Sequence, residues 1–234
     1  MASGLAAMKQ RKKEREEAAN RVKADWFKAT PEGVKVRFLQ EIDDASPNYN
    51  EEQGLAVFAV ERQHPVDFKK RAVCTLEEEG QCYPEEWHRE LQRVGKYPDG
   101  TEYKGGWKQK TNFYISALVE RNGEKKVEIL QRNFNNSFVD DLIEIAEDEG
   151  TITEKTYIIK KRGEGTSTTW SLKEARDGEL DVTGVKAYDL DKVALRHIPY
   201  DQQPSFFGMP ANASSPVATK VEDTPSLSSS NDEW

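Results

Sequence analysis

The chain has 234 residues, with 34 Lys and Arg against 42 Asp and Glu and a formal net charge of −8. It contains no run of about eighteen apolar residues that could form a transmembrane helix, and no basic start leading into an apolar stretch as a secretory signal requires. Two cysteines cannot build a disulfide framework, so a reducing cytoplasm is the expected setting.

Only 36% of the residues are hydrophobic, which predicts one modest core with long solvated ends. The acidic total argues against a nucleic-acid partner only if charge is evenly spread, and it is not. Residues 1–25 read as a basic arm. Within Lys9 to Lys23, the seven bases Lys9, Arg11, Lys12, Lys13, Arg15, Arg21 and Lys23 stand against only Glu14, Glu16 and Glu17. The arm is rich in helix formers but has too few apolar residues to anchor a helix alone.

The middle of the chain alternates like a β domain. Val34 to Leu39 is a short strand with apolar side chains on one face, and Leu55 to Val60 is a continuous apolar run suited to a buried strand. Asn112 to Val119 is another strand. Asn122-Gly123 then marks a hairpin turn, because both residues tolerate positive φ, and Lys125 to Gln131 is the return strand. Ser137 is the expected N-cap of a helix over 138–147, with Phe138, Leu142, Ile145 and Ala146 as its apolar face and Gly150 as its stop. Thr156 to Lys161 and Thr168 to Leu172 are two further strands around a Gly-rich loop. Strands, one helix, then strands suit a mainly β, α+β barrel-like domain better than a doubly wound sheet. From about Pro199 the composition turns to Ser, Pro, Ala and Asn. Residues 202–234 hold one base, Lys220, against Glu222, Asp223, Asp232 and Glu233, which predicts a disordered acidic tail.

No catalytic signature is present: no nucleophile elbow, no phosphate-cradling loop and no His-Glu-x-x-His. The protein is therefore not expected to be an enzyme. Asp140, Asp141 and Glu144 suggest a Mg²⁺ nuclease on residue type, but their helical spacing makes a solvated helix face the better reading. His64, Cys74, Cys82 and His88 carry the ligand types of structural zinc, although without a Cys-x-x-Cys pair; two buried thiols and two surface histidines are the plain alternative. Residues 104–132 are basic and aromatic. Lys104, Lys108, Lys110, Arg121, Lys125, Lys126 and Arg132 stand against Glu120, Glu124 and Glu128 there, with Tyr97, Tyr103, Trp107, Phe113, Tyr114 and Phe134 among or beside them. Lys155, Lys160, Lys161 and Arg162 form a second basic group near Tyr157 and Trp170. Cations that track phosphates, combined with aromatic faces that stack on unpaired bases, suit single-stranded nucleic acid; a solvated strand face is the alternative.

In its layout and short motifs the chain resembles the single-stranded DNA-binding, helix-destabilising proteins of tailed bacteriophages of the T-even type. Lys9 to Arg15 resembles the family's cooperativity arm, and Val36-Arg37-Phe38-Leu39 its opening core strand. His64, Phe68-Lys69-Lys70, Cys74 and Cys82 resemble its zinc region. Gly106 to Tyr114 resembles its Trp-Lys-x-Lys segment, and the acidic end its partner-recruiting tail. The sequence departs from the family at Glu85, which stands where the second Cys of a Cys-x-x-Cys pair is expected. Either His88 closes a zinc site with His64, Cys74 and Cys82, or the metal has been lost.

The resemblance implies an OB-fold-like core over about 26–200, a small and possibly zinc-binding subdomain at 61–95, and a tail over 201–234. It implies sequence-nonspecific, cooperative binding of single-stranded DNA in phage replication, recombination and repair, in the cytoplasm of the bacterial host. Phosphate contact is expected from Lys108, Lys110, Arg121, Lys125, Lys126, Arg132, Lys160 and Lys161. Base stacking is expected from Tyr103, Trp107, Tyr114 and Trp170. The arm would self-associate along DNA and the tail would bind replication proteins. A protein-interaction scaffold without DNA binding is the rival reading. Under the DNA-binding reading the net charge reflects segregation: seven acids and no base occupy 137–154, beside the basic arm and the basic strands.

Overall fold

The computed structural model describes residues 23–107 and 109–208, together with isolated positions 4, 8, 9 and 12. The rest of the arm, Lys108 and the tail from residue 209 lie outside the described residues. In chain order the strands and helices are β1 Asp25–Trp26, β2 Val34–Phe38, β3 Val57–Gln63, β4 Arg71–Val73, α1 Leu76–Glu79, α2 Tyr83–Val94, β5 Gln109–Arg121, β6 Glu124–Asn133, α3 Ser137–Glu149, β7 Thr156–Arg162, β8 Thr169–Glu174, α4 Leu190–Val193 and α5 Gln203–Phe207. The architecture is mainly one mixed β-sheet with helices set against it.

The strand order is β1-β6-β5-β2-β7-β8, with β3 also on β5 and β4 on β3. The long β5 is the spine of the sheet. Its first half pairs with β3, from Val57 opposite Tyr114 to Arg62 opposite Gln109. Its second half pairs with β2, from Lys35 opposite Glu120 to Phe38 opposite Ala117. On its other side β6 pairs antiparallel from Asn112 to Arg121. The predicted hairpin turn is present, with φ of 51° at Asn122 and 82° at Gly123. The sheet is not closed by a ladder: β1 and β8 are its ends. The chain between β1 and β2 spans part of the gap, where Phe27 N–H donates to the Ile129 carbonyl at 3.0 Å and Lys161 N–H to the Thr30 carbonyl at 2.9 Å.

The main core lies between one face of this sheet and α3. Phe38, Phe113, Ile115, Leu130, Phe138, Leu142, Tyr157, Ile159 and Trp170 are buried together there. Strand alternation puts Phe113 and Ile115 on that face. The cap of α3 is Asn136 rather than Ser137: its Oδ1 accepts from Phe138 N–H at 3.1 Å. Gly150 ends the helix at φ 77°. The loop between β2 and β3 is tied down by the buried Glu41 carboxylate. It accepts from the Ile152 and Thr153 N–H groups at 3.1 and 3.3 Å and from the Thr153 hydroxyl at 2.6 Å.

Two features depart from the sequence-based expectation. The region after β3 is a second packing unit of its own. Ala72, Leu91, Trp107 and Phe207 are buried together, with Trp87, Tyr97 and Tyr103 packed against them. This unit draws on residues well beyond the expected 61–95. The ordered chain also continues past residue 200. Gln203 and Phe207 are each only 1% exposed, so the expected disordered tail is corrected over 202–208. Low overall apolarity hid the two phenylalanines, Phe206 and Phe207, that anchor this end. The chain leaving β8 covers the second face of β5 and β6, where Leu190 and Leu195 pack with Tyr114 and Ile129, and Leu180 packs with Leu118.

Candidate nucleic-acid interface

The expected stacking residues are largely internal. Trp107 is 2% exposed, with its ring against Phe207 at 5.4 Å and His64 at 4.9 Å. Tyr114 lies on the opposite face from Phe113, but that face is itself covered. Its hydroxyl donates to Glu61 Oε2 at 2.6 Å, and burial holds the phenol proton well beyond the usual range. Trp170 is buried in the main core. Tyr103 is half-buried, with its hydroxyl 2.6 Å from His88 Nδ1. As placed, Trp107, Tyr114 and Trp170 offer no free ring face to a base. Nearness to basic residues in sequence marks these rings as candidates, whereas burial depends on what covers each strand face.

The expected phosphate ligands divide into two groups. Lys110 and Arg121 stand near opposite ends of β5, eleven residues apart, which at about 3.4 Å per residue is roughly 37 Å. Arg121, Lys125 and Lys126 cluster at the turn end. Arg121 is committed there: it pairs with Glu128 at 3.0 Å, donates to the Lys28 carbonyl at 2.8 Å and lies over the Phe27 ring. A cleft of ≈ 440 Å³ at this end is lined by Trp26, Lys28, Arg121 and Lys126 but also by Asp25 and Glu128, so its charge is mixed. Lys110 points to the Glu61 side of the sheet, where its ammonium donates to Gln63 Oε1 at 2.7 Å. Lys108 lies outside the described residues.

The other group surrounds an aromatic pair that sequence reasoning did not select. Phe58 is 41% and Phe134 38% exposed, and their rings meet edge to face at 5.2 Å. Phe58 also packs on the buried Phe113 at 5.0 Å. Phe113 is registered with Arg132, whose guanidinium lies 4.1 Å over the Trp170 ring and 3.4 Å from the Thr168 carbonyl. Burial lowers the proton affinity of Arg132, yet a guanidinium stays charged at neutral pH. Trp170 is registered with Lys161. Because directly opposed residues share a face, Phe58, Phe113, Arg132, Trp170 and Lys161 follow one another along the core-facing side of the sheet, where Phe113 and Trp170 are buried and Phe58 stays partly open, with Phe134 beside Phe58. Lys160 is exposed on the opposite face of β7, over Gly33 and beside Ile158. Among the described residues, Arg132, Lys160 and Lys161 form no ion pair. Lys155, by contrast, is engaged by Glu149 at 2.7 Å and Glu174 at 3.3 Å. Phe58 was hidden inside a run read as wholly buried. Phe134 carries a usable signal, since it is the first residue after β6 and two before the Asn136 cap, where a strand leaves its sheet.

The four expected zinc ligands do not form one site. Cys74 and Cys82 adjoin, each thiol shifting the proton affinity of the other. His64 Nδ1 instead accepts from the N–H groups of Val66 and Asp67 at 3.1 and 2.8 Å. His88 Nδ1 is taken by Tyr103. No group of three or more His, Cys, Asp or Glu side chains among the described residues is disposed to hold a metal. What lies beside the thiols is the buried guanidinium of Arg62. It pairs with Glu85 and donates to the Trp107 carbonyl at 2.8 Å. A fixed cation and its carboxylate thus tie β3, α2 and the start of β5 together, and these residues do not fit a tetrahedral zinc set. On α3, Asp140 and Glu144 are exposed, and Asp141 holds its proton more tightly than usual through burial and the neighbouring Asp140.

Comparison of the chain with known protein families, curated proteins and solved structures finds no match.

Proposed function

We propose that the chain is a single-stranded DNA-binding protein without strong sequence preference, acting in phage DNA replication, recombination and repair. The observation that carries this reading is the exposed Phe58–Phe134 pair, with Arg132, which forms no ion pair among the described residues, registered opposite the Phe113 on which Phe58 packs. Solvent-facing aromatic rings are unfavourable in a surface that has no use for them, whereas a strand of unpaired bases needs such rings next to cations. The connectivity supports the same reading. A β2-β5-β6 meander, then α3, then β7 returning beside β2 with β8 outside it, is the strand order of an OB barrel left open between β6 and β8. OB folds bind oligonucleotides on their second and third strands and on the loops joining strands one to two and four to five. Those positions correspond here to β5, β6, residues 39–108 and the loop 163–168, which approaches Arg132 through Thr168. Self-association through the arm and recruitment of replication proteins by the tail follow from the family resemblance alone. Anisotropy of labelled oligo-dT at two salt concentrations tests the proposal. Binding should be present at low salt and fall steeply as salt rises, through counterion release. No binding at low salt would instead favour a protein-interaction scaffold.

A further inference from the structure

The chain has only two cysteines, and the fold brings them together. Cys74 follows β4, where its N–H donates to the Val60 carbonyl at 2.8 Å. Cys82 is the N-cap of α2, and its carbonyl accepts from Glu85 N–H at 3.0 Å. The segments carrying them are pinned to each other. The Thr75 hydroxyl donates to the Gln81 carbonyl at 2.6 Å. Gln203 then clamps both flanks: its Nε2 donates to Thr75 Oγ1 at 2.9 Å and its Oε1 accepts from Tyr83 N–H at 2.8 Å. These bonds hold the two cysteines side by side, with the Arg62 guanidinium alongside. Cys82 is 1% and Cys74 8% exposed, so solvent reaches Cys74 more readily. The neighbouring Cys82 thiol, with help from Arg62, pulls the Cys74 thiol down to about 6, while Cys82 is pushed upward.

We propose that Cys74 and Cys82 are a reversible oxidation site, forming an intramolecular disulfide when the protein meets a hydroperoxide. The Cys74 thiolate attacks the peroxide O–O bond, taking one oxygen as a sulfenic acid while the other leaves as hydroxide. The Cys82 sulfur then displaces the sulfenic oxygen, and that oxygen leaves as water with the Cys82 proton. Two thiols are oxidised by two electrons and one hydrogen peroxide becomes two waters. An acidic, partly reachable thiol beside a resolving thiol is the arrangement such chemistry uses. To bond, the sulfurs close to about 2.05 Å. The inference does not depend on DNA binding.

The test uses the full chain, treated with chelator, reduced, desalted and exposed to a stoichiometric amount of hydrogen peroxide. It is then denatured in excess alkylating reagent and weighed intact. The expected product is a monomer two hydrogens lighter than the reduced protein and carrying no label, restored by dithiothreitol to a form that takes two labels. Cys74→Ser and Cys82→Ser should each take one label before oxidation and never show the two-hydrogen loss. Two labels after peroxide, oxygen adducts on one cysteine with the other still labelled, or a disulfide-linked dimer would each overturn the proposal.

Discussion

Replacing Phe58 and Phe134 by leucine separates stacking from packing. Base–aromatic stacking contributes about 1–3 kcal/mol per base. Each ring keeps roughly two-fifths of its surface open, 41% and 38%, enough for one base apiece. Leucine retains most of the apolar volume, so each change should lower stability by less than about 1.5 kcal/mol. Loss of the π-face should weaken oligo-dT binding by at least about 1 kcal/mol, roughly fivefold in Kd, at fixed salt. The rings touch at 5.2 Å, so the double variant should fall short of the product of the two singles. Trp107→Ala is the contrasting change. It removes a side chain buried against Phe207 and should lower stability by about 3–5 kcal/mol, while the molecules that remain folded bind as before. Anisotropy with labelled oligo-dT, read beside urea melts, measures both quantities. Parental affinity in the Phe58→Leu/Phe134→Leu protein would place the stacking surface elsewhere and refute the reasoning.

Lys160→Ala and Lys161→Ala should each reduce the slope of log affinity against log salt by about 0.7, the loss of one phosphate contact on a single strand. Lys155→Ala, whose ammonium is already engaged by Glu149 and Glu174, should leave that slope nearly unchanged. Equal slopes in all three variants would exclude Lys160 and Lys161 from the phosphate path. Glu85→Gln leaves the buried Arg62 guanidinium without its carboxylate and should lower unfolding free energy by about 3–5 kcal/mol; a loss under 1 kcal/mol in urea melts would show the pair to be solvated. Chelator should not move the melting temperature, because His64 and His88 are engaged by other partners and do not join the two thiols. A large drop would show that zinc organises this region.

The strands of the main sheet were legible because their signals are local. Asn122-Gly123 and Gly150 require left-handed backbone, and Val34 to Phe38 alternates cleanly. The region after β3 was less legible. Its core is assembled from residues far apart in the chain, such as Ala72, Leu91, Trp107 and Phe207, and no local period announces that convergence. The candidate site failed to read for a related reason. Tyr114 and Phe58 each sit in an apolar strand, but Tyr114 is covered by the chain leaving β8 whereas Phe58 is left partly open. Which strand face stays bare is a property of the topology, not of the strand. The four expected metal ligands do not assemble among the described residues, because ligand type is visible in the sequence while competing partners are not. His64 serves its own turn, His88 serves Tyr103, and Glu85 serves Arg62.

Where the chain is cut decides whether the acidic tail can be studied at all. Removing 202–234, as composition suggests, also removes Gln203 and Phe207. Phe207 is 1% exposed and packs on Trp107 at 5.4 Å, so its loss alone is worth about 3–5 kcal/mol. Gln203 makes three hydrogen bonds, to Tyr83, Thr75 and Ile198, each contributing about 1 kcal/mol. The sum approaches the whole stability of an ordinary domain, about 5–15 kcal/mol. A chain ending at residue 201 should therefore melt far below the full protein, and weakened DNA binding by it would say nothing about the tail. A chain ending at Gly208 keeps every one of these contacts and should melt like the parent. In that truncation alone, tighter oligo-dT binding would mean that residues 209–234 compete for the surface around Phe58 and Arg132, and unchanged binding would leave the tail only a recruiting role. Equal melting of the two truncations would show that Gln203 and Phe207 do not hold the second core, and the packing account of this region would fall.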